Sequence, residues 1–504
     1  MSSYTQILKS SSLIGGAQGI NLLLGMVRVK FAAVLIGPVG VGLIGNYTAI
    51  QGLVGTVAGL GIQSSGVRDV AAAAGQNDPQ AMGRTLITLR RVCWLTGLLG
   101  ALAMLMLAAP LSRWTFGNDE YVVEIALLGV IILLGNVSGG QMALIQGLRR
   151  IGDLARLQVI GAVAGTVISM GFYAALGLAG IVPALLLMAV VQLAASWHFA
   201  RRVPAPEVVV SWRESFHLAG GMVRLGLVFM WSGLAVSVVA YLTRALITQQ
   251  ISLEAVGIFS AAFALSGMFI NFVLGAMGAD YYPRLTAVAS DREAVNRLVN
   301  EQTEIGLLLA VPGLLATLSL APWIIRLFYT EAFLPAADLL QWFVLGCLGR
   351  VISWPLGFLM LALGKGQWYF LTETSANGVH LVLIGVGLAT LGLEGVAMAF
   401  FVLYLAYTAG VYGVARHLTG FCWSPASRRL LLWLLSMVAV TFVAARVLPL
   451  WPATVFGGVA TAAATVLCLR GLVQRIGADH RIVRAACRVP GMRWVLRGKV
   501  KGER

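Results

Sequence analysis

The sequence Leu176-Gly-Leu-Ala-Gly-Ile-Val182 returns 215 residues later as Leu391-Gly-Leu-Glu-Gly-Val-Ala397. The same offset aligns Val41-Gly-Leu-Ile44 with Val256-Gly-Ile-Phe259. Several matches at one offset indicate an internal repeat, in which each copy forms one structural unit. We therefore predict two homologous halves. Two further residues correspond at nearly this offset. Gly152 corresponds to Gly366, and Arg28 to Arg244, each one residue from the exact offset.

The composition places the repeats in a membrane. Of the 504 residues, 59% are hydrophobic and 11% are charged, and the mean hydropathy is +0.87. Soluble domains carry about 25% charged residues. No stretch of domain size is polar enough to be soluble, and the apolar run from Leu13 to Ile36 is expected to stay as a first span rather than act as a cleaved signal peptide.

The apolar runs predict an all-α integral membrane protein with about 14 transmembrane helices, or 12 if the last two runs do not cross. An offset that contains six spans makes the two copies parallel in the membrane, as two six-helix lobes around a central cavity. The predicted lobes are residues 1–200 and 216–417, joined by a cytoplasmic linker at 201–215. An extra helix pair at 418–472 and a basic amphipathic tail at 473–504 complete the chain. The predicted spans start near residues 11, 40, 86, 121, 155, 180, 216, 253, 303, 336, 367, 393, 428 and 452.

The distribution of basic residues predicts the orientation. If the N-terminus is cytoplasmic, most loop arginines fall on the cytoplasmic side, and the opposite loops hold only Arg113, Arg326 and Arg446. This is the pattern of the positive-inside rule. Both termini are therefore expected in the cytoplasm. The net charge of +16 is explained by this topology and the tail, so no nucleic-acid partner is predicted.

Ionisable residues inside a span are costly and usually functional. Arg28 shares a helical face with Asn21 and Gly25, which gives the first span one polar stripe that should face the cavity. Lys30 points about 200° away and is expected to reach the membrane interface instead. Arg224 lies near the cytoplasmic start of the seventh span, where it serves either the substrate path or only the topology.

The second lobe repeats this arrangement with Arg244, and Arg350 in the tenth span is a further candidate for the path. Two arginines facing each other across the pseudo-axis would suit a diphosphate, because a guanidinium binds phosphate oxygens with two parallel hydrogen bonds.

Acidic residues suggest ion coupling. Glu373, Asn377 and His380 are spaced at i, i+4 and i+7 on the eleventh span, a pattern that can relay protons or bind sodium. The alternative is a salt bridge between Glu373 and a cavity arginine such as Arg350. Asp280 is another candidate for coupling, unless it only caps its helix or pairs with Arg284.

Met277-Gly-Ala-Asp-Tyr-Tyr-Pro-Arg-Leu285, together with Arg28 near Gly37-Pro38, resembles the O-antigen and enterobacterial common antigen flippases. These belong to the MOP superfamily, which also holds the MATE multidrug exporters and the lipid II flippase. The resemblance implies transport of undecaprenyl-diphosphate-linked glycan from the cytoplasmic to the periplasmic leaflet of the inner membrane by a protein that works as a monomer. It also implies ion-gradient coupling, by H⁺ or Na⁺, without another cofactor, and the sequence has no phosphate-binding loop for ATP. A polysaccharide polymerase and a chain-length regulator are possible partners, besides membrane lipids.

Three other readings stay open. A MATE-type exporter usually carries cations, which arginines would repel. A capsule, exopolysaccharide or lipid II flippase would share the mechanism. An enzyme acting on the same lipid is disfavoured, because the longest predicted periplasmic loops hold scattered acids and no histidine; no catalytic residue and no metal site is predicted.

Overall fold

We describe the protein from a computed structural model, which covers residues 3–76, 78–203 and 208–476. Within these ranges all regular structure is helical. Most of the predicted tail and part of the linker, residues 477–504 and 204–207, lie outside the described residues.

Fifteen α-helices follow one another along the described chain, with short 3₁₀ turns at Gly177–Gly180 and Glu331–Phe333. The α-helices are α1 (Ser3–Leu35), α2 (Gly37–Gly59), α3 (Ile62–Gly75), α4 (Pro79–Phe116), α5 (Val122–Gly147), α6 (Ile151–Leu176), α7 (Ile181–Ala200), α8 (Trp212–Gln250), α9 (Leu253–Ala287), α10 (Arg292–Ser319), α11 (Ala321–Phe328), α12 (Ala336–Ala362), α13 (Gly366–Thr419), α14 (Pro425–Val447) and α15 (Leu450–Ile476).

Eleven segments of the described chain are long and apolar enough to cross a membrane. Two of them, Ile151–Ala200 and Gly366–Thr419, are each broken in the middle and supply two crossings. With the 23-residue helix α2, the described residues contain fourteen helices of crossing length. This agrees with the predicted membrane fold of fourteen spans. The short helices α3 and α11, of 14 and 8 residues, were not anticipated.

The two breaks are equivalent turns of the repeat. Gly177 has φ 58° and ψ −129°, and Gly392, 215 residues later, has φ 63° and ψ −141°. Glycine adopts such a conformation without the steric penalty that a Cβ brings. The two seven-residue segments that match at this offset therefore also share an unusual glycine conformation.

The helices around each turn also pack alike. A Cβ on Gly180 would overlap the carbonyl oxygen of Phe172, and a Cβ on Gly395 would overlap that of Gly387. At the offset of 215, Phe172 corresponds to Gly387 and Gly180 corresponds to Gly395. Each turn thus depends on a glycine where two helix backbones touch.

A third pair of equivalent contacts relates α2 to α9. A Cβ on Gly42 would overlap the carbonyl oxygen of Leu253, and a Cβ on Gly257 would overlap that of Pro38. Pro38 maps onto Leu253, and Gly42 onto Gly257, so the contact is reciprocal. This local two-fold arrangement is what a parallel repeat predicts.

The chain divides into two compact units. The first comprises Met1–Ser260 with Leu327–Ala332, and the second comprises Ala261–Arg326 with Phe333–Arg504. Helix α8, which begins the second repeat, therefore belongs to the first compact unit. Close packing explains this, because Gly61 and Gly226 bring the backbones of the α2–α3 turn and α8 into direct contact.

In the second unit, polar side chains buried on α10 fasten the start of α14 and the end of α15. Asn300 Oδ1 accepts a hydrogen bond of 2.8 Å from the Ser424 backbone N–H. The Glu304 carboxylate accepts bonds of 2.6 Å from both Ser427 Oγ and Arg475 Nε. The helix pair α14–α15 is thus anchored to the rest of the unit by a largely buried ion pair.

Candidate functional site

The first unit contains a cavity of about 470 Å³ between α1, α5, α6 and α7, with Gln51 of α2 at its wall. We call it the Arg28 pocket. Arg28 is the one ionisable side chain among its lining residues. The cavity therefore presents a positive charge with no acid beside it.

The α1 stripe predicted from spacing lies on this cavity, since Asn21, Gly25 and Arg28 all line it. The facing helix α6 makes room for them. A Cβ on Gly165 would stand 3.2 Å from Arg28 Nη1, and a Cβ on Gly161 would stand 3.0 Å from Gln192 Oε1. Both separations are shorter than side chains usually tolerate, so glycine at these positions leaves room for the guanidinium and the amide.

Amide side chains complete the polar lining. Gln51, Gln158 and Gln192 join Asn21 around the cavity, each carrying N–H donors and a carbonyl acceptor. Sequence reasoning missed the three glutamines. They could have been found as polar residues inside otherwise apolar spans, which generally face a protein interior rather than lipid.

Lys30 and Arg224 lie elsewhere. Lys30 Nζ donates a hydrogen bond to the Tyr329 carbonyl oxygen and does not line the Arg28 pocket. Arg224 is exposed on α8 and also lies outside this pocket.

Arg244 is held among α2, α8 and α9. Its Nη1 donates to the Ala240 carbonyl oxygen at 3.0 Å, and its guanidinium carbon lies 5.5 Å from the centre of the Phe259 ring. Its Nε is buried without an acceptor, next to Gly45. Arg244 does not line the Arg28 pocket, so the described geometry does not bring the two arginines together in one site.

The predicted acidic stripe lies on α13 in the second unit. Glu373 Oε1 accepts a hydrogen bond of 2.5 Å from Tyr407 Oη, and Asn377 Nδ2 donates to the Glu373 carbonyl oxygen at 2.8 Å. The His380 ring lies 6.0 Å from the ring of Phe400, centre to centre.

Glu373 forms no ion pair within the described chain. The structure therefore does not contain the alternative salt bridge between Glu373 and Arg350. The Asn377 amide donates to a backbone carbonyl one turn earlier in its own helix, and an amide has no charge to change. Glu373 and His380 are therefore the titratable members of the stripe.

Asp280 pairs with Arg284 at 3.2 Å, one helical turn away. The two side chains are 74% and 57% exposed, and pairs this exposed contribute little stability. Asp280 therefore makes the ion pair with Arg284 that was the alternative to a role in ion coupling.

One acid outside the spans shows how a connecting turn is held. Between α4 and α5, Arg113 donates hydrogen bonds of 2.7 and 2.9 Å to the Asp119 carboxylate. The hydrogen bond from Arg113 holds the pKa of Asp119 below its usual range. No cluster of His, Cys, Asp and Glu fit for a metal occurs in the part of the chain that the structure covers.

Comparison with known proteins places this geometry in context. Residues 33–338 match the model of the family described as polysaccharide biosynthesis protein. The lipid III flippase of Escherichia coli K12 is 26% identical over 410 residues, covering 79% of this chain and 94% of the relative; that of Shigella flexneri matches equally.

Two solved structures share the fold. An inward-facing MATE family transporter of the MOP superfamily superposes with a TM-score of 0.68 at 17% identity, covering 81% of this chain and 96% of that one. The lipid II flippase MurJ, in an inward closed conformation, superposes with a TM-score of 0.69 at 12% identity, covering 92% and 99%. At these identities the likeness is one of fold.

Proposed function

Because the chain belongs to the polysaccharide biosynthesis protein family, we propose that it is a flippase for lipid-linked oligosaccharide. It moves a glycan attached to undecaprenyl diphosphate from the cytoplasmic to the periplasmic leaflet of a bacterial inner membrane. The similarity to proteins named lipid III flippase supports this transport function rather than an enzymatic one.

The Arg28 pocket is the observation that carries the proposal. An arginine within a span is expensive unless a partner compensates it. In this pocket no acid lines the wall, and four amides surround the space beside the guanidinium. A diphosphate supplies the missing negative charge, and arginine binds phosphate oxygens through two parallel charge-assisted hydrogen bonds.

The same charge disfavours a cation antiporter of the MATE type, despite the shared fold. A cavity with one arginine and no acid repels cationic substrates and attracts anionic ones. Fold likeness does not decide between the two functions, because function depends on the site.

Alternating access follows from the repeat, since two parallel copies can rock against each other around a substrate. We propose that the movement is driven by an ion gradient through Glu373 and His380. The orientation with both termini cytoplasmic, function as a monomer, and any cooperation with a polymerase or a chain-length regulator belong to the same proposal.

The test is complementation of a deletion strain, with cytoplasm-facing lipid-linked glycan as the measured quantity. Arg28→Ala should reduce transport at least tenfold, because charge-assisted hydrogen bonds contribute about 1.5–3 kcal/mol each. Arg28→Lys should retain part of the transport, since the positive charge remains but the planar guanidinium group is lost.

The matched control is Arg224→Ala, which removes an exposed arginine outside the Arg28 pocket and should leave transport near wild type. Membrane levels of each variant are compared by immunoblot. Full complementation by Arg28→Ala at wild-type expression would show that this pocket does not hold the diphosphate.

A further inference from the structure

A second cavity in the first unit, of about 230 Å³, lies where α2 turns into α3. Glycines form much of its wall, so we call it the glycine-lined pocket; they are Gly55, Gly59, Gly61, Gly135, Gly139 and Gly140. We propose that this pocket binds the uncharged sugar next to the diphosphate of the transported lipid. The inference rests on the proposed function and specifies which part of the substrate each cavity binds.

The side chains of this pocket suit hydroxyl groups. Gln63, Ser64, Thr96 and Asn136 line it, and no acidic or basic residue does. Amides and hydroxyls can both donate and accept, as sugar hydroxyls do. The composition differs from that of the Arg28 pocket, where a full charge is present.

These groups have unused hydrogen-bonding capacity. The side chains of Gln63 and Ser64 are exposed to the cavity and make no hydrogen bond within the described residues. Asn136 Nδ2 reaches Thr96 Oγ1 only at 3.5 Å, the long limit for such a bond. A bound sugar can therefore take these groups without displacing strong protein contacts.

The backbone at this pocket is held in an unusual conformation. Leu60 and Gly61 are consecutive residues with φ of 47° and 63°. A left-handed conformation costs a residue other than glycine roughly 1–2 kcal/mol, and such residues concentrate at functional sites. The turn directs the first residues of α3, including Gln63, along the cavity wall.

Helix α8 also contributes to the wall, where Phe229 is 49% exposed and lines the pocket beside Met230. An aromatic side chain supplies apolar surface for the carbon face of a sugar ring. The cavity volume is below the roughly 300 Å³ at which drug-sized ligands are usually bound, which suits one sugar rather than an oligosaccharide.

The position of the cavity connects it with the proposed diphosphate site. Gly135 of α5 lines both the glycine-lined pocket and the Arg28 pocket, and it is exposed. In the proposed substrate the first sugar is bonded directly to the diphosphate, so the two sites must adjoin. A shared wall residue satisfies that requirement.

The test measures binding of two probes to the purified full-length protein: undecaprenyl diphosphate, and the same lipid carrying one N-acetylglucosamine. Wild type should bind the glycosylated probe more tightly. Gln63→Ala and Asn136→Ala should each lower that preference about fivefold, as expected for one neutral hydrogen bond. Binding of undecaprenyl diphosphate itself should not change, and Gln76→Ala, which removes an exposed amide at the end of α3, should behave as wild type.

Gly59→Ala and Gly139→Ala provide an independent test that does not remove a polar group. Their added Cβ atoms would lie 3.6 Å from Asn136 Oδ1 and 3.5 Å from Gln63 Oε1, which are ordinary contacts that the fold tolerates. Both should lower the preference for the glycosylated probe by narrowing the pocket.

The outcomes separate the two proposals. If all four substitutions weaken the binding of both probes equally, or of neither probe, the proposed sugar site is wrong and the flippase proposal stands. If wild type binds both probes with equal affinity, the sugar site is again wrong. If it binds neither probe, the proposed function fails as well.

Discussion

Tyr407 donates its hydroxyl hydrogen to the carboxylate of Glu373, the acid that we propose for ion coupling. His380 lies seven residues along the same helix and makes no hydrogen bond in the described part of the chain. The two groups that we propose for ion coupling therefore lie on one face of α13.

Replacing Glu373 with Gln should remove the dependence of transport on the ion gradient, because the amide cannot exchange a proton or bind a cation by charge. Tyr407→Phe should keep the dependence, because the Glu373 carboxylate remains and loses only one hydrogen-bond donor. The measurement is glycolipid transport in proteoliposomes with imposed H⁺ or Na⁺ gradients. Unchanged gradient dependence in Glu373→Gln would assign coupling to another residue.

Spacing along one helix was the reliable guide at this scale. It placed Asn21, Gly25 and Arg28 on one face, and all three line one cavity. Contacts made by other helices could not be read in this way. The ring of Phe259 and the backbone of Gly45 surround Arg244, and they approach it only through tertiary packing.

At the scale of elements, the two broken helices are the clearest product of the repeat. The matched sequences around Gly177 and Gly392 predicted a repeat, and both glycines have positive φ. Short helix α3 escaped prediction because it is too short and polar for a span, and α4 starts at Pro79 rather than near residue 86.

Gly395→Ala should destabilise the second turn by about 1–3 kcal/mol, the usual cost of overpacking, because the added methyl overlaps the Gly387 carbonyl. Gly180→Ala should have a similar effect at the equivalent turn. Gly385→Ala is the control, since no atom lies within 4 Å of its added Cβ and alanine favours a helix. Thermal unfolding in detergent measures all three, and equal midpoints for Gly395→Ala and Gly385→Ala would refute the packing role.

At the scale of the whole chain, the helix pair α14–α15 is attached to the second unit by polar side chains of α10. Hydropathy predicted the pair as spans, but the residues that anchor it could not be predicted, because Glu304 and Arg475 are far apart in sequence.

The anchoring ion pair leads to a prediction about the unfolding of the whole protein. Glu304 and Arg475 side chains are 11% and 29% exposed, and removing one partner of a buried pair costs about 3–5 kcal/mol. Arg475→Leu should therefore lower the unfolding midpoint clearly, since Glu304 keeps only Ser427 as a partner. The double substitution Glu304→Leu with Arg475→Leu should recover part of the loss, because no buried charge is left uncompensated.

The control variant Arg68→Ala removes an exposed partner of Asp69 and should change the midpoint little. A double-mutant cycle on the midpoints isolates the coupling of the pair. Additive effects of the two single substitutions would show that the ion pair does not anchor α15 to α10.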